Sequence, residues 1–217
     1  MTRIGADVGG TFTDIVIDTD AQGRVARKVP STPGEFERAV VDGSLDAVGD
    51  SGESITAVVD FRHGTTVATN AVLERNGPAT GLLTTEGFRD VLELGRLRTP
   101  ALYDLAWRKP PALAPRRFRL ELAERMLPDG TSVQKPDLDA LRDHVERLIA
   151  SGIRTIAVSL INAYANPAHE EFVADWIRTE YPDVHVTVAT NVVRELGEYE
   201  RTSTAVLNAY LQPVVAG

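Results

Sequence analysis

Ile4-Gly5-Ala6-Asp7-Val8-Gly9-Gly10-Thr11-Phe12-Thr13-Asp14 is the stretch whose reading decides the fold. A short apolar run carries an acidic residue, then two glycines and two threonines, and a second apolar run, Ile15-Val16-Ile17, follows at once. That order predicts a β-hairpin whose turn can approach a phosphate. Glycines let backbone N–H groups crowd an anion without a Cβ in the way, and threonine hydroxyls add donors. Asp7, at the end of the first strand, suits a hydrated Mg²⁺ beside those phosphates. The same residues also describe an ordinary hairpin with a glycine turn and a capping Asp.

The loop is neither of the two commoner phosphate binders. A Walker loop needs a Lys after its last glycine, and the dinucleotide fingerprint needs a third glycine opening a helix. Here Phe12 to Asp18 continues as a strand. A phosphate would then lie over a hairpin turn, which resembles the first phosphate loop of the sugar-kinase, Hsp70 and actin superfamily.

Outward from this loop, Arg3–Val8, Phe12–Asp18 and Arg24–Val29 read as three strands. Thr32-Pro33-Gly34-Glu35 reads as a capping box with Pro at the first helical position, before a helix with Phe36, Ala39, Val40, Gly43 and Ala47 on one face. Ile55–Phe61 reads as a buried strand delivering His63-Gly64-Thr65-Thr66 at its carboxyl end. Val67–Arg75 follows as a helix closed by Asn76-Gly77-Pro78, and Thr80–Leu83 as a further strand. Three antiparallel strands followed by two parallel ones beside the first predict an actin-like ATPase half-core, ribonuclease H-like, with a mixed sheet. Ligands of such open sheets sit at the carboxyl ends of the parallel strands, so both loops converge on one cleft.

Arg98 to Pro115 lacks periodicity and reads as an excursion. Phe118–Leu127, Pro128-Asp129-Gly130 and Ser132-Val133 read as a hairpin. Helices after Asp137 and Asn166-Pro167, strands at Arg154–Leu160 and His185–Ala189, and a final helix Glu198–Leu211 form a second β/α region. The expected division is 1–97 for the nucleotide-binding half-core, 98–135 for the insertion and 136–217 for the second region.

The 217 residues include 43% hydrophobic and 25% charged side chains, as in a globular chain able to bury a core. A net charge of −8 argues against a nucleic-acid surface. The absence of cysteine excludes disulfides, thiolate zinc sites and a cysteine nucleophile. Without a signal peptide or a stretch able to span a bilayer, the expectation is a cytoplasmic protein with no membrane partner.

With these segments in place, the chain resembles the N-terminal region of the hydantoinase A / 5-oxoprolinase family, which includes the ATP-using subunits of acetone and acetophenone carboxylases. The residues that carry the resemblance are Gly5–Val16, His63–Arg75 (HGTTVATNAVLER), Thr84–Arg96 (TTEGFRDVLELGR), Ala163–Glu170 (AYANPAHE) and Glu198–Pro213 (EYERTSTAVLNAYLQP). The resemblance implies ATP-dependent ring opening of a cyclic amide or imide, such as a hydantoin or 5-oxoproline, through a phosphorylated carbonyl. The alternatives are an ATP-using subunit of a ketone carboxylase, which shares the phosphorylation chemistry, and, from another class, a non-catalytic scaffold. The resemblance places Asp7 at Mg²⁺ and Gly9, Gly10, Thr11, Thr13 and Asp14 around the ATP phosphates, although Asp14 could simply cap the turn. His63, Thr65, Thr66 and Asn70 fall to the catalytic part of the cleft. His63 either orients the substrate carbonyl or ties its loop down, and the two threonines can be helix caps as well.

Family members run several hundred residues further. The implied partners are therefore a small cyclic amide and either the C-terminal remainder of the same protein or a partner subunit, with an apolar last helix favouring association into a homo-oligomer. Asp90 and Glu93 share a helix face that reads as solvated, as do Glu198, Glu200 and Arg201 around a helix start. His144 reads as a surface residue, and His169 as a local structural one.

Overall fold

The computed structural model describes residues 1–32, 34–97 and 103–216, in two compact units: Met1–Asn76 with Val214–Gly217, and Gly77–Pro213. Pro33 and the first part of the Arg98–Pro115 excursion lie outside the described residues.

The first unit is built on β1 (Thr2–Val8), β2 (Phe12–Thr19), β3 (Gly23–Pro30) and β4 (Val58–Thr65), in the order β3-β2-β1-β4. β1 and β2 pair antiparallel, as do β2 and β3, and β4 joins β1 in parallel. Period-two alternation explains the sheet: Ile4, Ala6, Val8, Ile15 and Ile17 are buried on one face, under Val40, Ala47 and Val48 of α1 (Phe36–Asp50). Of the alternate residues of β1, Arg3 and Asp7 are exposed and Gly5 is half-buried. α2 (Val67–Glu74) follows β4 and ends on Arg75 in the left-handed region, φ 56°.

Two local expectations are corrected here. α1 begins at Phe36 and its N-cap, Glu35, makes no side-chain capping bond; the Thr32 hydroxyl donates to the Glu35 carbonyl instead, closing a turn and not a capping box. The strand expected over Ile55–Phe61 begins three residues later and runs on to Thr65, because its pairing with β1 continues to Val8↔Thr65. His63 and Gly64 therefore lie within the strand.

The second unit holds a fully parallel sheet of β5 (Thr80–Thr85), β6 (Arg119–Leu122), β9 (Thr155–Ser159) and β10 (His185–Val188), in the order β10-β9-β5-β6. β5 was expected beside β4; it lies instead between β9 and β6. Every residue of β5 and of β9 is buried, as a parallel strand covered on both faces requires. Leu83, Ile156 and Val158 face α4 (Leu138–Ala150) and α5 (Ala168–Glu180) in one apolar cluster. Leu82 and Ala157 face a second, with Leu92 of α3 (Val91–Leu94), Ala189 of α6 (Ala189–Val192), and Ala205, Val206 and Ala209 of α7 (Glu198–Ala216). The hairpin expected from Phe118–Leu127 is present only in part: Arg119–Leu122 joins the parallel sheet as β6, and β7 (Arg125–Met126) alone pairs with β8 (Ser132–Gln134).

Gly77, which reads as a turn residue, has a packing role as well. A Cβ there would sit 2.4 Å from the Tyr210 ring, whose hydroxyl accepts the Gly77 N–H at 2.6 Å. An aromatic ring cannot yield as an alkyl tip can, so Gly77→Ala is expected to cost about 1–3 kcal/mol by overpacking. A lower urea midpoint with an unchanged slope checks this.

Candidate functional site

The turn between β1 and β2 is held from behind. Gly9 N–H donates to the Phe12 carbonyl at 3.0 Å, and a Cβ on Gly9 would lie 2.8 Å from that same oxygen. The close approach admits glycine alone without opening the turn. Ser31 fastens the loop to the end of β3. Its N–H donates to the Thr11 carbonyl at 2.9 Å and its hydroxyl to the Gly9 carbonyl at 2.8 Å. Ser31 was not singled out from sequence, because its partners lie some twenty residues earlier and no local pattern marks it.

Gly10 and Thr11 are exposed on the outer side of this turn. Asp7 is exposed as well, and its register partners are Asp14 on β2 and Gly64 on β4. It makes no ion pair or hydrogen bond among the described residues. Asp14 is engaged: its carboxylate pairs with Lys28 at 2.9 Å, and Lys28 also lies 5.6 Å from the centre of the Phe12 ring. Thr13 does not face the turn's outer side. It is fully buried, with its hydroxyl 2.9 Å from that of Ser31.

The start of α2 closes on the same edge. Thr66 N–H donates to the Val8 carbonyl at 3.1 Å, and the Thr65 hydroxyl accepts the Val67 N–H at 3.1 Å. A Cβ on Gly10 would lie 3.2 Å from the Asn70 amide nitrogen, and that nitrogen reaches the Thr66 hydroxyl at 3.5 Å. Asp7, Gly9, Gly10, Thr11, Thr66 and Asn70 thus gather at the carboxyl ends of β1 and β4.

His63 does not join them. It pairs in register with Ala6, so its side chain lies on the α1 face, opposite to that of Asp7. There His63 and Thr65 border a pocket of about 330 Å³ walled by Val8, Phe36, Val40 and Phe61. The sequence brings both motifs to one strand edge, but strand alternation splits them between the faces.

Two carboxylates of the second unit, Asp90 and Glu93, are tied down. Asp90 pairs with Arg116 at 2.8 Å, which holds its carboxyl below the usual range, and Glu93 pairs with the buried Arg119 at 3.1 Å. Arg201, expected among solvated charges, is fully buried against an equally buried Glu170. The His144 ring, only half-buried, reaches the Glu121 carbonyl at 2.8 Å.

The loop fits a nucleotide phosphate. Its turn closes on a glycine that a Cβ would push open, and it offers an exposed hydroxyl and a carboxylate without a partner among the described residues. Mg²⁺ takes one or two carboxylates and otherwise water and phosphate, so a single Asp suffices. No group of three or more His, Cys, Asp or Glu among the described residues could hold a metal ion by itself. Among those residues, no helix is long and apolar enough to cross a membrane.

Comparison with known proteins matches residues 3–181 to the family described as Hydantoinase/oxoprolinase N-terminal region. The chain is 41% identical to the acetophenone carboxylase gamma subunit of Aromatoleum aromaticum, over 98% of this chain and 31% of that subunit. Among solved structures it resembles the ATP-dependent caprolactamase of Pseudomonas jessenii, with a TM-score of 0.85 and 33% identity over 99% of this chain and 32% of that one. A nucleotide-free acetone carboxylase aligns with a TM-score of 0.86 and 26% identity, over 98% of this chain and 32% of that one. The chain therefore spans about a third of the length of the relatives it matches first.

Proposed function

The chain belongs to the hydantoinase/oxoprolinase family, and from that premise we propose that it supplies the N-terminal part of the cleft in an ATP-dependent enzyme that opens a cyclic amide. The observation that carries the reading is Asp7: an exposed carboxylate, without a partner among the described residues, beside a turn that only glycine can make. An amide oxygen is a poor leaving group, and bound ATP supplies the phosphoryl group that makes it a good one. The residues of this chain then have the tasks of positioning and charge neutralisation. Gly9 closes the turn through its own N–H, Gly10 and Thr11 present backbone and hydroxyl donors to the phosphates, Asp7 would hold Mg²⁺ beside them, and Asn70 and Thr66 fix the turn's outer wall. Thr13 and Ser31 brace the loop from within, and Asp14 orders Lys28. His63 and Thr65 line the apolar pocket on the other face of the sheet, away from the phosphate turn, and take no part in the transfer.

The remainder of the longer protein, or a partner subunit, completes the cleft. Support comes from the first unit itself: β4 ends its sheet, and Val41, Val59 and Phe61 are exposed apolar residues beside it. The 217 residues alone are accordingly expected to bind Mg-ATP weakly and to turn nothing over.

The test is coupled ATP hydrolysis by the full-length protein with hydantoins, 5-oxoproline and larger lactams. Substrate-stimulated turnover with one of them is expected, and silence across the panel with folded protein would sink the reading. A ketone-carboxylase subunit is the second reading, favoured by the 41% identity to the acetophenone carboxylase gamma subunit. Turnover that needs both bicarbonate and a ketone would select it.

A further inference from the structure

We propose that the second unit carries a separate hydrolytic centre, with Ser132 as nucleophile, His169 as its base and Glu124 as the carboxylate that orients the base. The three residues come from the β7–β8 hairpin, the first turn of α5 and the residue just before β7. The Ser132 hydroxyl lies 2.8 Å from His169 Nε2, and His169 Nδ1 lies 2.6 Å from Glu124 Oε2. The other Glu124 oxygen accepts from the Thr85 hydroxyl, which in turn accepts the Ile161 N–H at 2.9 Å. Glu124 and His169 are buried, whereas Ser132 is exposed.

The tautomer follows from these partners. A carboxylate accepts only, so the proton of the neutral ring sits on Nδ1 and Nε2 is left to accept from Ser132. This is the arrangement that activates a serine: a nucleophile bonded to a base, and a base aimed by a third group. The serine opens onto a pocket of about 560 Å³ shared with Lys135, Leu138, Ala168 and Phe172. The N-termini of two helices of 13 residues each, α4 and α5, border that pocket. Asp137, which caps α4, lines the pocket as well, and the two helix dipoles and the Lys135 ammonium, which makes no ion pair among the described residues, set a positive field against its charge. Phe172 and Leu138 supply an apolar wall. The substrate class that fits is a small carboxylic ester.

In the first step Ser132 Oγ bonds to the ester carbonyl carbon and its proton passes to His169 Nε2. The bond from carbon to the leaving oxygen breaks, and the alcohol departs with that proton. Water then bonds to the same carbon while giving a proton to Nε2. The Ser132–acyl bond breaks, the acid is released, and Oγ recovers its proton. Ester and water become acid and alcohol, with no further reactant.

Nothing here requires nucleotide, so this centre and the ATP-coupled reading stand or fall separately. The experiment treats the full-length protein, without ATP, with a fluorophosphonate probe and with p-nitrophenyl acetate. The expected result is a single adduct mapping to the Ser132 peptide, and ester hydrolysis that falls about a hundredfold or more in Ser132→Ala. Ser132 is exposed, so that variant should keep its thermal midpoint. His169→Gln should slow labelling to a similar degree wherever it still folds. A clasp that merely ties the hairpin to α5 predicts no labelling. Folded wild-type protein without an adduct at Ser132, or hydrolysis undiminished in Ser132→Ala, overturns the proposal.

Discussion

Asp7→Asn in the full-length protein is expected to lower substrate-stimulated ATP turnover by about a hundredfold or more, the scale of removing one preorganised electrostatic group. The fold should not notice. Asp7 is exposed and makes no ion pair among the described residues, and surface changes away from such features usually stay within about 0.5 kcal/mol. Asn keeps the shape and can still accept a hydrogen bond, so a turn-capping Asp would survive the exchange with turnover intact. Asp18→Asn is the matched control. Asp18 shares the open face but pairs with Arg24 at 3.6 Å, remote from the glycine turn, so it reports what the loss of one negative charge does on its own. Near-normal turnover in Asp7→Asn with unchanged Mg²⁺ dependence would remove Asp7 from the site.

How much of this was legible in the sequence depended on whether the deciding interaction was local. β1 and β2 declared themselves because Ile4 to Val8 and Ile15 to Ile17 are short, local apolar runs on either side of a glycine turn. The glycine turn was legible for the same reason. The placement of β5 was not. A strand buried on both faces presents the same continuous apolar run whichever parallel sheet it enters, and Gly81-Leu82-Leu83 carries no mark of its neighbours.

Strand alternation also explains the division of the expected site. His63 and Gly64 are adjacent in sequence, yet the register Ala6↔His63 and Asp7↔Gly64 sends them to opposite faces of the sheet. Spacing alone gives no register, so one motif was read as one site. The charged residues at the start of α7 failed differently. Glu198, Glu200 and Arg201 look solvated beside one another, but the partner that buries Arg201 is Glu170, in another helix. The same holds for Ser132, His169 and Glu124, whose contacts cross 37 and 45 residues of chain.

Arg201→Met should cost about 3–5 kcal/mol of stability, because it leaves a buried carboxylate without its counter-ion. Arg201 Nη2 lies 2.7 Å from Glu170 Oε1, and neither side chain is exposed. Arg201 also donates to the Leu160 carbonyl at 3.1 Å and pairs with Glu198 at 2.9 Å. Glu170 accepts the N–H groups of Leu160 and Thr190, each at 2.9 Å. The pair therefore locks the ends of β9 and β10 to α5 and α7. Desolvation raises the Glu170 carboxyl above its ordinary value, while Arg201 and the bonds from Thr190 and Leu160 pull it down. With a raised folded value the native state binds the proton more tightly than the unfolded chain, so this group's contribution weakens as pH rises from the ordinary value through the folded one. Removing Arg201 removes the largest opposing pull and widens that window upward. The variant should consequently be less handicapped near pH 5, where Glu170 can take up a proton, than near pH 8. Urea unfolding at both pH values measures the difference. Adding Glu170→Gln should recover part of the loss at the higher pH, since no unpaired buried charge then remains. A single Arg201→Met variant within about 1 kcal/mol of wild type at both pH values would show that solvent already reaches the pair.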